Sequence, residues 1–345
     1  MLDGLMGVFD DSLPDGWGRL LIDRRAAELG ISSASLTPLD RLTLVGSRSI
    51  GALAYEPEVA IDEPAVVRLS QLARQTDLVL KGAGGAELER LIAVGGSPQG
   101  ARPKVLVQLA PNGDVHFGAK TIEPGFTAWI VKFRARQDES HSAAVEHAYC
   151  LMARSAGIDV PATQLLGRTK RNPGYFAIER FDRSGAARVH THTLGGLLQV
   201  PHGYPPLDYG DLLKVTRQLT RSEAAVGEMF RRACFNVFAH NRDDHSRNFA
   251  FVMDERGGWA PSRAYDLTFA QGPGGEHTML VAGEGRAPDK DHLTRLAGHA
   301  ELRGASKIID EVRAATSRFQ VFADEAGVPK KAAKQVLQVL RGPMR

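Results

Sequence analysis

The stretch His240-Asn241-Arg242-Asp243-Asp244-His245-Ser246-Arg247-Asn248 sets an aspartate and an asparagine on one short polar loop. At this spacing Asp243 can accept or orient the proton of an attacking hydroxyl, while Asn248, on the returning arm, offers a neutral oxygen to Mg²⁺. Downstream, past a short strand and turn, Ala264-Tyr265-Asp266-Leu267 supplies a further acid. Asp266 is the candidate for the principal Mg²⁺ ligand, because carboxylate and amide oxygens suit a hard cation. Upstream, Lys132 closes the apolar run Trp129-Ile130-Val131, and Glu146 follows near the start of the next helical pattern as an ion-pair candidate for it. Still earlier, Gly95-Gly96-Ser97-Pro98-Gln99-Gly100-Ala101-Arg102-Pro103-Lys104 carries glycines that let backbone N–H groups approach phosphate oxygens. Two acids, an amide, a lysine and a glycine loop are the parts of phosphoryl transfer, which needs positioning and charge neutralisation more than covalent chemistry.

Each part alone has an ordinary structural use. Acids and amides form turns, a lysine ends many edge strands, a first-turn glutamate complements a helix dipole, and a Gly/Pro loop is usually a turn. The order is what carries weight: glycine loop, lysine, glutamate, a strand end at Glu179-Arg180-Phe181 where main-chain groups can meet an adenine ring, Asp/Asn loop, metal aspartate. That order is the order of a kinase, with Arg-Asp, four residues and Asn as its catalytic loop. The glycine loop lacks the GxxxxGK[ST] spacing and is not a Walker loop. Two other arrangements use some of the same residues. A metal-dependent phosphohydrolase would gather His240, Asp243, Asp244, His245 and Asp266 around one or two metals. A catalytically silent scaffold or co-repressor would keep the fold without the activity.

The elements that must position these residues follow from periodicity. A helix is predicted from Asp15 to Gly30, a loop with a small strand over Leu42 to Tyr55, and a connector at Pro57 to Pro64. Val105–Leu109, Val115–Phe117 and Trp129–Phe133, with the Pro111-Asn112-Gly113-Asp114 turn, predict a small antiparallel sheet. A helix follows from Ser142 to Ala156 and stops at Gly157, then a strand at Tyr175–Ile178. Beyond it the chain reads as mostly helical, with Ser222 capping one helix and two closing helices at Ala305–Ala326 and Lys330–Leu340. The fold class is therefore α+β, a β-rich lobe followed by a mainly helical one, as in protein kinases.

Composition excludes more than it selects. The chain has 345 residues, 43% hydrophobic and 24% charged, so it can bury a core of two or three packed units and is not a disordered chain. A formal charge of +3 is too slight to argue for direct nucleic-acid binding. The two cysteines, Cys150 and Cys234, fall on helical patterns and away from any zinc spacing, which fits buried thiols in a reducing cytoplasm. The first residues lack the pattern of a secretory signal, and no apolar run reaches membrane-spanning length. A soluble, cytoplasmic protein with no membrane partner is the expectation.

With these residues in view, the sequence resembles the HipA family of bacterial toxin kinases over most of its length. The resemblance rests on SLPDGWGRLLIDR, LTLVGSRSIGALAYEP, SPQGARPKVLV, WIVKF, VEHAYCLMARSAGIDVP, FAIERFDR, NRDDHSRNFAF and AYDL. It implies a serine/threonine protein kinase of a type II toxin–antitoxin system, using ATP and Mg²⁺. The implied substrate is a protein, glutamate-tRNA ligase in the best-known members, and the implied restraint is a DNA-binding HipB-like antitoxin, so that DNA is met indirectly. Carried over residue by residue, the phosphate loop falls on Gln99, Gly100, Ala101, Arg102, Pro103 and Lys104, the ATP lysine on Lys132, and the hinge on Glu179, Arg180 and Phe181. The catalytic aspartate falls on Asp243, the metal ligands on Asn248 and Asp266, and the autophosphorylated serine on Ser97, with Glu146 and His245 in support. The implied division is 1–64 as a remnant of the family's N-terminal subdomain, 65–182 as the N-lobe and 183–345 as the helical C-lobe. Family members carry a further β-rich segment ahead of GVFDDSLPDGWGR; the resemblance implies either a different start or a separate small protein supplying that segment, as in split members.

Overall fold

The computed structural model describes residues 2, 4–59, 68–95, 99–117, 121–169, 172–201 and 207–342. They form two compact units, residues 1–143 with 162–191, and residues 144–161 with 192–345.

The first unit opens with α1 (Gly7–Asp10) and α2 (Gly16–Glu28), the latter being the helix expected from Asp15. Its buried face is Trp17, Leu21, Ile22 and Ala26. The stretch from Leu42 departs from expectation, because α3 (Pro38–Val45) enters it and a single 3₁₀ turn, Gly46–Arg48, continues it in place of a strand. The cause is a capping box. Thr37 Oγ1 accepts from the Asp40 amide at 3.2 Å and the Asp40 carboxylate accepts from the Thr37 amide at 2.8 Å, with Pro38 preset for the first turn.

Two helices not anticipated from the sequence, α4 (Leu69–Leu80) and α5 (Ala86–Gly95), precede the sheet. The strands are β1 (Lys104–Leu109), β2 (Val115–Phe117), β3 (Thr127–Lys132), β4 (Thr163–Leu166) and β5 (Tyr175–Glu179), in the order β2-β1-β3-β5-β4. Every pairing in it is antiparallel, as the alternation predicts. Val105, Val107 and Leu109 of β1 with Trp129 and Val131 of β3 make one apolar face, which Trp17, Leu21, Leu72, Val79, Leu88, Leu91 and Val94 cover. Each such side chain contributes about 1.5–3 kcal/mol on burial, which is why a sheet with one apolar face needs this helical layer. A two-stranded ribbon, β6 (Arg183–Ser184) and β7 (Ala187–Arg188), ends the unit.

The second unit holds α6 (Ser142–Ser155), matching the expected span, with Gly157 at φ 79 just beyond it. The strand β8 (His190–Thr193), whose last two residues belong to this unit, neighbours β9 (Ala250–Met253), which pairs with β10 (Trp259–Pro261). The remaining helices are α7 (Leu194–Leu198), α8 (Tyr209–Thr220), α9 (Glu223–Phe238), α10 (Lys290–His299), α11 (Ala305–Thr316), α12 (Phe319–Ala326) and α13 (Lys330–Leu340). Ser222 caps α9 as expected, accepting from the Ala225 amide at 3.2 Å. α9 is the axis of the unit, burying Met229, Phe230, Cys234, Phe235 and Phe238. Tyr149 of α6 packs edge-on against Phe235 and Phe319, at 6.2 and 5.6 Å between centroids, and its hydroxyl donates to the Ala239 carbonyl at 2.6 Å. The expected closing helix at 305–326 is two helices. The hydroxyls of Thr316 and Ser317 turn back to the carbonyls of Val312 and Ala314, at 2.9 and 2.7 Å, and the chain bends there.

Candidate active site

The Asp/Asn loop leaves α9 at His240 and is anchored from beneath. Asp244, buried, accepts from four donors: Tyr209 Oη at 2.7 Å, His277 Nδ1 at 2.8 Å, and the amides of Thr278 and Met279 at 2.8 and 3.4 Å. The chain of bonds continues inward, since Asn236 Nδ2 donates to Tyr209 Oη at 2.9 Å and Asn241 Nδ2 to Asn236 Oδ1 at 2.9 Å. Burial foremost, then the neighbouring Asp244 charge, push the Tyr209 phenol well up, so it acts here as a neutral donor. Such a buried network of side-chain bonds holds the loop in one shape.

Above this anchor, Asp243 is exposed. Asn248 Nδ2 donates to the Asp243 carbonyl at 2.6 Å, which turns the loop back on itself. Tyr265 Oη donates to the Arg247 carbonyl at 2.6 Å, which ties the segment carrying Asp266 to the same loop, and the Ala264 amide donates to the Asp159 carbonyl beyond α6 at 2.8 Å. His240 and Asp266 both lie in the left-handed region at φ 53, a conformation that asparagine and aspartate tolerate best and that surrounding contacts must enforce. The His240 ring stacks on Phe269 at 5.5 Å and its Nε2 faces Gln271 Oε1 at 3.3 Å. Burial, with the Arg242 charge second, brings its imidazole down to about 4. Asn248 is thus tied to the main chain of Asp243, and Tyr265, the residue before Asp266, to the main chain of Arg247 on the same loop; carboxylate and amide oxygens are the donor types that suit a hard cation. His245 is half-buried on the same loop, and Glu146 is buried on α6.

In the first unit the β1–β3 register sets Lys104 directly opposite Lys132, so both ammonium groups rise from the sheet face opposite the helical layer. Like charges directly opposed disfavour a sheet pair, and an anion between them reverses the sign. Lys132 Nζ lies 5.5 Å from the centroid of the Phe176 ring, while Lys104 Nζ donates to the Gln99 carbonyl. Ala101 and Arg102 are neighbours of that bond on the glycine loop, and the Arg102 guanidinium pairs with Asp138 at 3.1 Å. The Phe133 amide donates to the Pro103 carbonyl at 2.8 Å. Lys104 is buried and Lys132 half-buried, and of the described loop residues Ala101 alone is exposed. Ser97, with Gly96 and Pro98, lies outside the described residues.

At the far end of β5 the main chain of Glu179 and Arg180 continues the sheet, their amides donating to the carbonyls of Ala162 and Ala128 at 2.9 and 2.8 Å. The Arg180 side chain is buried, bidentate on Asp182 at 2.9 and 2.7 Å, and so is fully engaged within the first unit. Burial works to raise the Asp182 carboxyl, and the charges of Arg180 and Arg183 overcome it, holding it at about 2. Arg183, by burial and then by the Arg180 charge, falls to about 9. Arg183 and Arg188 clamp the carbonyls of Ser49 and Gly51, so the SRSIGA stretch is tied to this strand end. Phe181 is half-buried beside them.

Sequence reasoning missed the anchoring role of Asp244 and the partnership of Tyr209 with His277, because nothing local separates an anchoring aspartate from its exposed neighbour. Among the described residues no three His, Cys, Asp or Glu side chains gather as a metal cluster, and no helix is long and apolar enough to cross a membrane.

Comparison with known proteins identifies the family. The profile of the HipA-like C-terminal domain matches residues 96–337, and that of the HipA N-terminal domain matches residues 2–56. Among curated proteins, the "Putative kinase Y4dM" of Sinorhizobium fredii is 31% identical over 228 residues, covering 59% of this chain and 54% of that protein. A "Putative kinase" of Haemophilus influenzae is 29% identical over 120 residues, 31% of this chain and 35% of that protein. The chain thus spans about half the length of the first and a third of the second. Among solved structures, a chain of the HipA, HipB and operator DNA complex of the Shewanella oneidensis MR-1 toxin–antitoxin system superposes with a TM-score of 0.68 at 16% identity, covering 99% of this chain and 84% of that one. The expected fold, kinase-like with a β-sheet unit and a helical unit, is the one observed. With both HipA domains matched in sequence order around the loops just described, the chain belongs to the HipA family.

Proposed function

We propose that this protein is a toxin kinase that transfers the γ-phosphate of ATP to a serine or threonine hydroxyl of a protein. The observation that carries the reading is the loop of the second unit: an exposed Asp243, with Asn248 bonded to its carbonyl at 2.6 Å and Tyr265, next to Asp266, bonded to the Arg247 carbonyl at 2.6 Å. Asp243 would take the proton of the attacking hydroxyl, and Asn248 and Asp266 would hold Mg²⁺. The bound ion would neutralise charge on the phosphates. The loop Gln99–Lys104 and Lys132 would hold those phosphates, and the main chain at Glu179–Phe181 would meet the adenine. The hydrolase alternative is disfavoured because Asp244, one of the ligands it needs, is already engaged by Tyr209, His277 and the Thr278 amide.

The family suggests the rest: a HipB-like DNA-binding antitoxin, an aminoacyl-tRNA synthetase such as glutamate-tRNA ligase as substrate, and self-modification at Ser97. Phosphate on Ser97 would repel the ATP phosphates and pull the glycine loop out of place. The test is phosphopeptide mass spectrometry after incubation with Mg²⁺-ATP, with dephosphorylated wild type beside Asp243→Asn. Phosphate that appears only in the wild type is the expected result, with Ser97 among the sites. A wild type that neither modifies itself nor a panel of purified synthetases overturns the reading.

A further inference from the structure

The motif SLPDGWGR has no part in the chemistry above, yet it lies against the glycine loop at close range. Asp15 accepts a hydrogen bond from the Gly100 amide, and the Trp17 amide donates to the Gly100 carbonyl at 3.1 Å. Both polar groups of one loop residue are therefore held by residues two apart on another part of the chain. Gln99 adds a third tie, its Nε2 donating to the carbonyls of Asp11 at 3.2 Å and of Asp10 and Leu13 at 3.4 Å.

Between Asp15 and Trp17 stands Gly16, at φ 41. A Cβ there would come within 2.6 Å of the Gly100 carbonyl oxygen and 2.7 Å of the Ala101 Cα, so only glycine permits this approach. Gly100 itself is at φ 115, a conformation that L side chains rarely adopt. Trp17 is buried in the core under the sheet, so the platform is rigid where the loop meets it. Lys104, on β1, donates to the Gln99 carbonyl from the other end of the loop.

We infer that Asp15, Gly16 and Trp17 are positioning residues for nucleotide, holding Gln99–Gly100 so that the amides of Ala101 and Arg102, and not that of Gly100, are the ones presented to phosphate. The inference rests on the reading of Gln99–Lys104 as the phosphate loop. It assigns work to a segment far upstream of the loop.

Two measurements on the full-length protein test it. The first is the Asp243-dependent transfer rate as a function of ATP concentration, for wild type, Asp15→Ala, Asp15→Asn, Gly16→Ala and, as a control in the same helix, Arg19→Ala. Loss of a charge-assisted bond should raise the KM for ATP roughly tenfold or more in Asp15→Ala, with kcat changed less than threefold. Asp15→Asn keeps an acceptor oxygen and should recover most of the loss, Gly16→Ala should match or exceed Asp15→Ala, and Arg19→Ala should behave as wild type. Simple destabilisation would reduce the active fraction, and so kcat, without moving KM. The second measurement is amide hydrogen exchange across residues 99–102, which needs no activity. Exchange there should quicken about tenfold in Asp15→Ala. A KM within twofold of wild type in both Asp15→Ala and Gly16→Ala overturns the inference while leaving the kinase reading intact. A wild type without any transfer overturns the kinase reading instead, and unchanged exchange in Asp15→Ala then overturns the anchor as well.

Discussion

The two loops that would carry phosphoryl transfer are built by opposite means. The loop at 240–248 is held from within: Asp244, Asn241, Asn236, Tyr209 and His277 are all buried, and their side chains bond to one another beneath an exposed Asp243. The loop at 99–103 is held from outside, by the carbonyls, an amide and a carboxylate of residues 10–17, with Gln99 and Gly100 only half-buried. A side-chain network in a low-dielectric interior is strong and cooperative, so its members cannot be removed singly. Ties made largely through main-chain groups at a partly wet boundary can be exchanged for water at small cost. The difference suits the tasks. In the proposed function, a base and two metal ligands would need one fixed geometry, whereas a phosphate loop would have to admit and release a nucleotide.

The sharpest way to break this comparison is at its chemical tip. Asp243→Asn should lower phosphate transfer by a factor of roughly 10³ or more while leaving the thermal midpoint within a few degrees, since the carboxylate is exposed. Both are read from one preparation, by phosphopeptide yield and by a melting scan. A large fall in the midpoint would mean that Asp243 also supports the fold. The adjacent residue should behave in reverse. Asp244→Ala strands Tyr209, His277 and the Thr278 amide in the interior and should cost about 3–5 kcal/mol of stability. Urea unfolding measures it, and a loss under 1 kcal/mol would remove the basis for calling this loop internally anchored.

Those two neighbours also mark the limit of what the sequence discloses. The Asp243–Asn248 pair is legible because a mechanism demands its spacing, and the α6 helix because Val145, Ala148, Tyr149 and Met152 recur at three and four. Asp243 and Asp244 are the same residue type, and the difference between an exposed base and a buried anchor arises only when Tyr209 and His277 arrive from distant parts of the chain. The α3 helix had a local signal, Thr37-Pro38-Leu39-Asp40, that the glycines at 46 and 51 obscured. The helices α4 and α5 were concealed because their role is to cover the apolar face of β1 and β3, a long-range need. The SLPDGWGR motif is legible as a resemblance but not as a contact, since Gly16 has meaning only where it meets Gly100.

Acid should loosen the internally anchored loop first. His240 titrates near 4 when folded and near 6.5 when unfolded, so between those values the unfolded chain binds a proton that the folded chain refuses. The contribution of this group is therefore fully present above 6.5 and is lost as the pH drops toward 4, by on the order of 1–2 kcal/mol once screening by nearby solvent is counted. Asp182, held at about 2, contributes stability lost only below its unfolded value of 3.8, so the two windows separate. His240→Asn keeps a residue that tolerates φ 53 and should flatten the upper window. Unfolding free energies at pH 7, 5.5 and 4.5 give the slope, and an unchanged slope would assign it to another group.

The smallest effect should come from the outside ties, where Gln99 offers the cleanest comparison with Asp244. Its amide reaches three carbonyls, but at 3.2–3.4 Å these are long bonds to a half-buried group. Water can replace the donor in Gln99→Ala, so the loss in global stability should stay near 1 kcal/mol or below. The change should appear instead as faster hydrogen exchange confined to residues 99–102, because local opening needs only the free energy of the ties it breaks. If Gln99→Ala cost as much as Asp244→Ala, the glycine loop would be part of the first unit's core, and the contrast between a fixed catalytic loop and an adjustable phosphate loop would disappear.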